Sequence, residues 1–347
     1  MSTPNIRVAG RWLSREARFG DLEVTWGIHG AEQATWEMPL KATERPAWLG
    51  RGALVQVYDA SLCVWQGTLA QPDFDSGQFA AIGIARQGES AACLTSAGAV
   101  TSAPNTAINA AIARGVVSWV RAADFGSTPI AGADATGTTS DPDPGSLTNL
   151  LDLWANEQDK QWRVTDDGRL IQATDSEAAP TWLVLPGAAE LGVADDNALD
   201  RLFLRYVDTS GYYRTASYPA STPAGGIERR ASIISRGPMD SARASAIAAG
   251  IYNAAQAGRT GWTNSLDLVA EQIITPGGKR PRPSAIRPGD TTKILGQRDP
   301  RSGSPSTSVV IGEVTWRPSE ARVQIKPVGK VARTYDEILV DFKAVAA

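Results

Sequence analysis

Five carboxylates fall within one short stretch, "LTNLLDLWANEQDKQWRVTDDGRLIQAT", which runs from residue 147 to residue 174. They are Asp152, Glu157, Asp159, Asp166 and Asp167. Two carboxyl groups about 5 Å apart across a cleft are the catalytic pair of retaining glycosidases, so this stretch is the first candidate for acid–base chemistry. Whether the carboxylates can form such a pair depends on the elements that carry them.

The pattern of this stretch predicts a helix followed by a hairpin. Ser146 suits the N-cap position, and a helical apolar face extends to about Asn156. The residues of that face are Leu147, Leu150, Leu151 and Trp154. Strands at Trp162–Val164 and Leu170–Gln172 flank Asp167-Gly168, a dipeptide suited to a two-residue hairpin turn.

These elements do not bring the carboxylates to a common cleft. Asp152, Glu157 and Asp159 are expected on or just beyond the solvent side of the helix. Asp166 and Asp167 are expected to be turn residues, since Asp is favoured in turns. The unit is therefore predicted to be scaffold that happens to be acidic, and not a catalytic site.

The remaining chemistry-bearing residues are few. His29 is the single histidine, and its place between Gly27 and Gly30 at a strand end predicts an exposed or capping role. With one histidine and two separated cysteines, Cys63 and Cys93, no zinc site of ordinary composition is expected. Neither GxGxxG after a strand nor GxxxxGK[ST] occurs. We therefore predict no catalytic residue, cofactor or metal, although a carboxylate calcium or magnesium site is conceivable at 135–145 or 193–200.

Composition excludes several classes of protein. The chain has 347 residues, of which 42% are hydrophobic and 20% are charged, and these values indicate a globular protein of two or three domains. Its net charge is −3, and Lys and Arg do not cluster into the basic surface that nucleic-acid-binding proteins carry. Residues 279–282, "KRPR", are expected to be a solvated turn. No apolar run reaches the length of a membrane span, and no signal peptide is recognised, so synthesis in a cytoplasm is expected. The two cysteines are expected to be buried thiols.

The order of elements predicts a β-rich α+β fold with two small antiparallel β-barrels. Residues 1–92 are expected to form the first barrel, and 93–185 an α+β insert of helix plus hairpin. Residues 186–347 are expected to form the second barrel, with a helix–strand insert at about 237–285. Seven of the eleven tryptophans fall in apolar-patterned elements and are predicted to be core: Trp26, Trp36, Trp65, Trp119, Trp154, Trp162 and Trp316.

Four stretches resemble one known family. They are "GRGALVQVYDASLCVWQGTLAQPDFD", "LTNLLDLWANEQDKQWRVTDDGRLI", "IERRASIISRGPMDSARASAIAAGIY" and "AIRPGDTTKILGQRD" with "SVVIGEVTWRPSEARVQIKP". In the order of its elements and in its sequence pattern, the chain resembles the tail-hub family of long-tailed bacteriophages. These proteins are also called baseplate hub or minor tail proteins, and the resemblance is to the actinobacterial-phage type. In that family "RPGD" opens the last barrel segment. None of these stretches is a catalytic signature.

The resemblance implies a non-enzymatic virion protein at the tail tip. Such a hub is a homotrimer at the distal end of the tail tube, where two barrels per chain give a pseudo-six-fold ring that joins the six-fold tube to the three-fold tip. Its partners are distal tail or tail tube proteins above, tip, fibre or receptor-binding proteins below, and the tape measure protein. During ejection DNA passes through the channel without specific binding. Closed symmetry also covers exposed strand edges.

Two alternatives from other classes remain open. A tail-tip cell-wall hydrolase requires a catalytic cleft built from His, Cys or paired carboxylates. A host-glycan-binding tail protein requires aromatic side chains exposed in a row.

Overall fold

The computed structural model describes residues 4–39, 45–70, 72–130, 145–158, 160–173, 181–185, 191–193, 199–234, 237–258, 260–262, 265–296, 306–327 and 339. Contacts divide the chain into two compact units. Unit 1 comprises Met1–Ala188, Leu266–Gly296 and Ser306–Val328, and unit 2 comprises Ala189–Ser265, Gln297–Pro305 and Gly329–Ala347. The three consecutive domains expected from the sequence remain a prediction.

Seven antiparallel strands and one helical turn form the first part of unit 1. They are β1 (Asn5–Val8), β2 (Arg11–Trp12), α1 (Leu13–Glu16), β3 (Gly20–Gly27), β4 (Gly30–Glu37), β5 (Leu54–Asp59), β6 (Leu62–Leu69) and β7 (Gln78–Gly83). In β5, Val55 and Val57 are buried, whereas the intervening Gln56 is not. Successive side chains of a strand point to opposite faces, so this alternation buries one face. The predicted β-rich character of this region is confirmed.

Strands from the second half of the chain extend the same sheet. They are β11 (Trp182–Val184), β17 (Leu266–Val269), β18 (Ile273–Ile274), β19 (Thr291–Leu295), β20 (Ser306–Arg317) and β21 (Arg322–Pro327). β20 pairs with β3, with Val314 opposite Trp26, and so joins late strands to early ones. The resulting sheet has 13 strands, and its path through the described residues runs open from β18 to β2. The β-rich α+β class is confirmed, but the described strands do not show two closed barrels.

Two helices and a small sheet complete unit 1. They are α2 (Pro104–Ala113), β8 (Val120–Arg121), α3 (Leu147–Gln158), β9 (Gln161–Val164) and β10 (Arg169–Ala173), with strand order β8-β10-β9. Ser146 Oγ accepts a hydrogen bond of 3.2 Å from Asn149 N, which confirms the predicted N-cap of α3. Gly115 ends α2 with a φ of +69°, and Val116 N donates to Ala111 O at 3.1 Å, as in a Schellman motif.

The β9–β10 hairpin has a longer turn than the sequence predicts. Val164 pairs with Leu170, and Thr165 N donates to Arg169 O at 3.0 Å. Gly168 N donates to Thr165 O at 2.8 Å, and Gly168 has a φ of +82°. The loop is therefore the three residues 166–168 with glycine in the left-handed position, a common hairpin type. The predicted turn is one residue too short, because Gly168 has a left-handed backbone conformation and does not pair with a residue across the hairpin.

Unit 2 packs one long helix on a three-stranded sheet. Its elements are β12 (Leu191–Val193), β13 (Arg201–Val207), β14 (Tyr213–Tyr218), β15 (Glu228–Ser232), α4 (Ser241–Gly258) and β16 (Thr260–Trp262). The sheet order is β14-β13-β15, and β12 pairs with β16. Asp240 Oδ1 accepts a 2.7 Å bond from Arg243 N and is the N-cap of α4. The core of this unit includes Leu202, Leu204, Tyr206, Ala244, Ala248 and Ile251.

The predicted core tryptophans are buried. Trp26, Trp36, Trp65, Trp119, Trp154, Trp162 and Trp316 are each at most 5% exposed. Cys63 and Cys93 are both free thiols. Cys93 is buried as predicted, whereas Cys63 is only half-buried, so the prediction of two buried thiols is wrong for Cys63. Within the described ranges, no helix has the length and apolar character needed to cross a bilayer.

We expect Trp154→Ala to destabilise unit 1 by about 3–5 kcal/mol, because truncating a buried aromatic residue leaves a cavity. The indole is 5% exposed and contacts the edge of Phe125, with ring centroids 4.7 Å apart. Urea unfolding measures the loss. Leu62→Ala is the matched control, since Leu62 is 60% exposed and its truncation should change stability by about 0.5 kcal/mol or less. Equal losses in the two variants would contradict the predicted packing of α3.

Candidate functional site

The turn between β3 and β4 lies directly against β9. Val164 N donates a hydrogen bond of 2.8 Å to the carbonyl oxygen of His29. Gly30 has a φ of +122°, and a Cβ at this position would lie 2.2 Å from the carbonyl oxygen of Val164. Only glycine fits between the two backbones, so this contact fixes His29 beside the hairpin.

His29 stacks on Trp162 of the hairpin. Their ring centroids are 3.9 Å apart and their planes differ by 9°. His29 Nδ1 lies 3.1 Å from the carbonyl oxygen of Trp162, and Nε2 lies 3.3 Å from Asp152 Oδ1. The indole N–H of Trp162 donates to the same Asp152 oxygen at 2.8 Å. His29 is therefore half-buried in a cluster and not the exposed or capping residue that the sequence predicts, whereas Asp152 lies on the solvent side of the helix as predicted, with 43% of its side chain exposed, and also binds this cluster.

This arrangement does not suit proton transfer to a substrate. In a Ser-His-Asp triad one ring nitrogen faces the carboxylate and the other faces the nucleophile. In this protein the second nitrogen of His29 faces a backbone carbonyl, which can only accept a hydrogen bond. Neither nitrogen is free to take a proton from a hydroxyl. The cluster of His29, Asp152 and Trp162 instead clamps the β3–β4 turn, α3 and the hairpin together.

A second cluster is built around the guanidinium of Arg287. Arg287 Nε and Nη2 donate to Asp166 Oδ2 at 3.1 and 2.8 Å, and Nη2 also donates to the carbonyl oxygen of Val64 at 3.0 Å. The guanidinium carbon lies 4.4 Å from the centre of the Trp26 ring. The Trp26 indole N–H donates to Asp166 Oδ1 at 3.3 Å. Asp166 is thus more than the turn residue that the sequence predicts, because it joins the hairpin to β3 and to Arg287.

The turn that carries Arg287 is itself rigid. Gly289 has a φ of +88°, and Asp290 N donates to Arg287 O at 3.2 Å, as in a type II turn with proline at its second position. Asp290 Oδ2 accepts bonds from Arg287 N at 3.0 Å and from the Trp182 indole at 2.8 Å. The "RPGD" stretch therefore positions a guanidinium as well as opening β19.

The last donor group of Arg287 binds the segment that precedes this turn. Arg287 Nη1 donates to the carbonyl oxygen of Ser284 and, at 3.0 Å, to that of Ile286. Every N–H-bearing nitrogen of the guanidinium is thus engaged. The cation is committed to holding the fold and is not presented to a ligand.

A cavity of about 210 Å³ opens beside the ion pair. It is lined by Trp26, Gly27, Ile28, Gly30, Arg163, Val164, Thr165, Asp166, Arg287 and Pro288. Burial raises the pKa of Asp166, while Arg287 and the Trp26 N–H act in the opposite direction. The space is small and its polar groups are mostly bound to one another, so it does not resemble the larger apolar pockets that hold organic substrates.

Glu32 of β4 has an unfavourable electrostatic environment. Burial raises the pKa of Glu32, and the nearby carboxylates of Glu313 and Glu89 raise it further, against the opposing charges of Arg86 and His29. The folded state therefore holds the Glu32 proton more tightly than the unfolded chain does. By linkage, this carboxyl group makes stability fall as pH rises from the ordinary Glu pKa through the raised one.

Metal-binding geometry is not found in the part of the chain that the structure describes, where no three His, Cys, Asp or Glu side chains converge on one point. The segments 135–145 and 193–200, considered for calcium or magnesium, lie largely outside the described residues. The same holds for Asp159 and for the side chain of Glu157. Of the five acidic residues first considered, Asp152 and Asp166 belong to two different clusters.

We expect Arg287→Met to cost about 2–4 kcal/mol of unfolding free energy, since it leaves Asp166 partly buried without its cation. The side chains of Arg287 and Asp166 are 22% and 31% exposed. The control is Arg317→Met, which breaks the more exposed pair with Glu23, where 31% and 40% of the side chains are exposed. That loss should be at most about 1 kcal/mol. Equal losses in urea unfolding would show that Arg287 is not a structural centre.

We expect Glu32→Gln to remove one contribution that lowers stability as pH rises. Relative to the wild type, the variant should gain stability as pH rises above about 4.3, the ordinary glutamate pKa, because the raised pKa of Glu32 is lost. Melting temperature measured from pH 4 to pH 8 gives the two curves. Glu271→Gln makes the same charge change at an exposed position and is the control. A steeper decline in Glu32→Gln than in the wild type would contradict the sign.

No protein-family model and no curated protein matches the sequence. Solved structures do match in fold. The 43 kDa tail protein of prophage MuSo2 from Shewanella oneidensis has a TM-score of 0.59 and 11% identity, over 93% of this chain and 96% of that chain. The tail protein from Neisseria meningitidis MC58 has a TM-score of 0.56 and 11% identity, over 94% and 97%. Prophage tail protein gp18 from Listeria monocytogenes EGD-e has a TM-score of 0.52 and 13% identity, over 99% of each chain. Over nearly its whole length, the chain therefore shares the fold of these tail proteins.

Proposed function

We propose that this protein is a non-enzymatic structural component of a bacteriophage virion and serves as a tail hub of the actinobacterial-phage type. The observation that carries the proposal is the similarity to three tail proteins, two of them from prophages, over 93–99% of this chain and 96–99% of theirs. Coverage in both directions means that whole chains correspond, and not one shared module. A fold can host unrelated activities, so the geometry of the site must agree with the function.

The described polar clusters support a structural role. The ring nitrogens of His29 face a backbone carbonyl and a carboxylate, and the guanidinium of Arg287 is fully engaged by Asp166 and backbone oxygens. A cell-wall hydrolase needs a base or carboxylate pair directed at a substrate. These groups instead hold segments of the protein to one another.

In this proposal the hub is a homotrimer at the distal end of the tail tube. Each chain would contribute two barrel-like regions, one built mainly from the early and one from the late strands of the 13-stranded sheet, and three chains would repeat them as a pseudo-six-fold ring. The ring contacts distal tail or tube proteins above, tip, fibre or receptor-binding proteins below, and the tape measure protein. Its channel wall is acidic or neutral, so DNA passes during ejection without the phosphate contacts that give non-specific binding.

A glycan-binding role has one observation in its favour. Tyr212 and Tyr213 of unit 2 are 66% and 60% exposed. However, Arg214 lies 5.9 Å from the Tyr212 ring centre and Arg205 lies 4.5 Å from that of Tyr213. One face of each ring is therefore already covered by a guanidinium, which leaves a poor platform for a sugar.

The decisive experiment is electron microscopy of assembled phage tails that contain this chain. We expect three copies in one ring at the distal end of the tube, around a channel without a continuous lining of Lys and Arg. Six copies per ring, or single copies without three-fold contacts, would refute the hub. Incubation of the purified chain with peptidoglycan is the test of the rival, and release of muropeptides that stops in Asp152→Asn would favour a hydrolase.

A further inference from the structure

Among the described residues of unit 2, one face of the three-stranded sheet packs on α4, and the other face carries half-buried and exposed side chains. Leu202, Leu204 and Tyr206 of β13 are buried in the core with α4. The alternate residues of β13, namely Arg201, Phe203 and Arg205, point to the opposite face. Strand register places Arg230 of β15 beside Phe203, and Tyr213 of β14 beside Val207, on that same face. We call Arg201, Phe203, Arg205, Tyr213 and Arg230 the arginine face.

Two arginines of this face lie over its aromatic rings. The guanidinium carbon of Arg205 is 4.5 Å from the Tyr213 ring centre, and that of Arg201 is 4.7 Å from the Phe203 ring centre. A guanidinium that lies over an aromatic ring keeps its N–H groups free at its edges. These N–H groups can bind a carboxylate through two parallel hydrogen bonds. Stacking also limits the side-chain entropy that is lost when a partner binds.

Most of the positive charge on this face has no partner within the described chain. Arg205 and Arg230 are both exposed, and no described carboxylate is within ion-pair distance of either. Glu228, which lies opposite Arg201 in the strand register, accepts a hydrogen bond from Thr222. Three guanidiniums thus stand against one carboxylate. Arg, Tyr and Phe are also residue types enriched at protein interfaces.

The two units differ in the sign of their charge. Unit 2 contains 13 Lys and Arg and 11 Asp and Glu, a net charge of +2. Unit 1 contains the other 21 Lys and Arg and 26 Asp and Glu, a net charge of −5. Unit 1 of a second copy of the chain therefore carries a net charge of the sign that complements the arginine face. Complementary charge of this kind fixes the register of a contact and suppresses wrong partners.

We propose that the arginine face binds surface carboxylates on unit 1 of a second copy of this chain. The inference rests on the proposed ring and names the surface that closes it. Such a contact is heterologous, because different surfaces of the two copies meet, and three-fold rotation closes it. Single-stranded nucleic acid fits less well, because the guanidiniums already cover faces of Tyr213 and Phe203 on which bases would stack.

The test is sedimentation equilibrium of the full-length chain up to about 1 mM protein, at low and at high salt. We expect association that weakens between about 0.05 and 1 M NaCl, since salt screens exposed charges. Arg205→Gln with Arg230→Gln should raise the dissociation constant about tenfold or more. Arg205→Lys with Arg230→Lys should recover part of the affinity, because charge is kept while the paired donors are lost.

The matched control is Ser241→Glu with Ser245→Glu, which makes the same change of −2 in net charge at exposed positions of α4. It should leave the dissociation constant within about twofold of the wild type, because surface substitutions away from a contact have small effects. Circular dichroism confirms that each variant is folded.

Three results would overturn the inference. Equal association of the wild type and the double glutamine variant would show that another surface closes the ring, and a trimeric ring in assembled tails would still stand. A chain that stays monomeric at every concentration would exclude self-association through this face. The third result is fluorescence anisotropy in which a labelled oligonucleotide binds the wild type and not the double glutamine variant, while self-association is unchanged. It would assign the face to nucleic acid.

Discussion

The organisation of unit 1 depends on one guanidinium. Arg287 binds Asp166 at the tip of the hairpin and the backbone of β6, and it lies on the ring of Trp26 in β3. These segments come from distant parts of the chain, and Arg287 and Asp166 are 121 residues apart. Removing a charge from water is costly unless it is paired and hydrogen-bonded, so the pair tolerates little displacement of any of these segments. The clamp of His29, Asp152 and Trp162 then fixes the other end of the same hairpin.

Local features could be predicted from the sequence because their causes lie within a few residues. Ser146 caps α3, Asp240 caps α4, and Gly115 ends α2, each through bonds to the adjacent turn of helix. The seven core tryptophans were also predictable, since burial follows the apolar pattern of their elements. The hairpin was predicted in place, but its turn was not, because residues 166–168 allow both a two-residue and a three-residue loop.

The candidate site could not be predicted, because its members meet only in three dimensions. His29 and Trp162 are 133 residues apart, and the residues next to His29 in the sequence give no indication that its ring stacks on Trp162. A weak signal did exist for Arg287, since an arginine directly before Pro-Gly-Asp is held at the start of a rigid turn. The arginine face likewise appears only once β13, β14 and β15 are aligned, because its arginines are scattered between residues 201 and 230. The net charge of −3 for the whole chain does not indicate this face, because the negative charge of unit 1 outweighs the positive charge of unit 2.

The pairing of β3 with β20 has a consequence for synthesis on the ribosome. Thr25 and Thr315, whose hydroxyl oxygens are 3.4 Å apart across this pairing, are separated by 290 residues. At about 5–20 residues per second, translation takes about 15 to 60 s to supply the partner strand. Throughout that interval one edge of β3 in the nascent chain lacks its final neighbour, and such an edge is a template for misassembly with other chains. Pairing of β3 with β4 covers only the opposite edge of β3, so the first third of the protein depends on a chaperone or on transient local contacts to cover this edge until its last strands emerge.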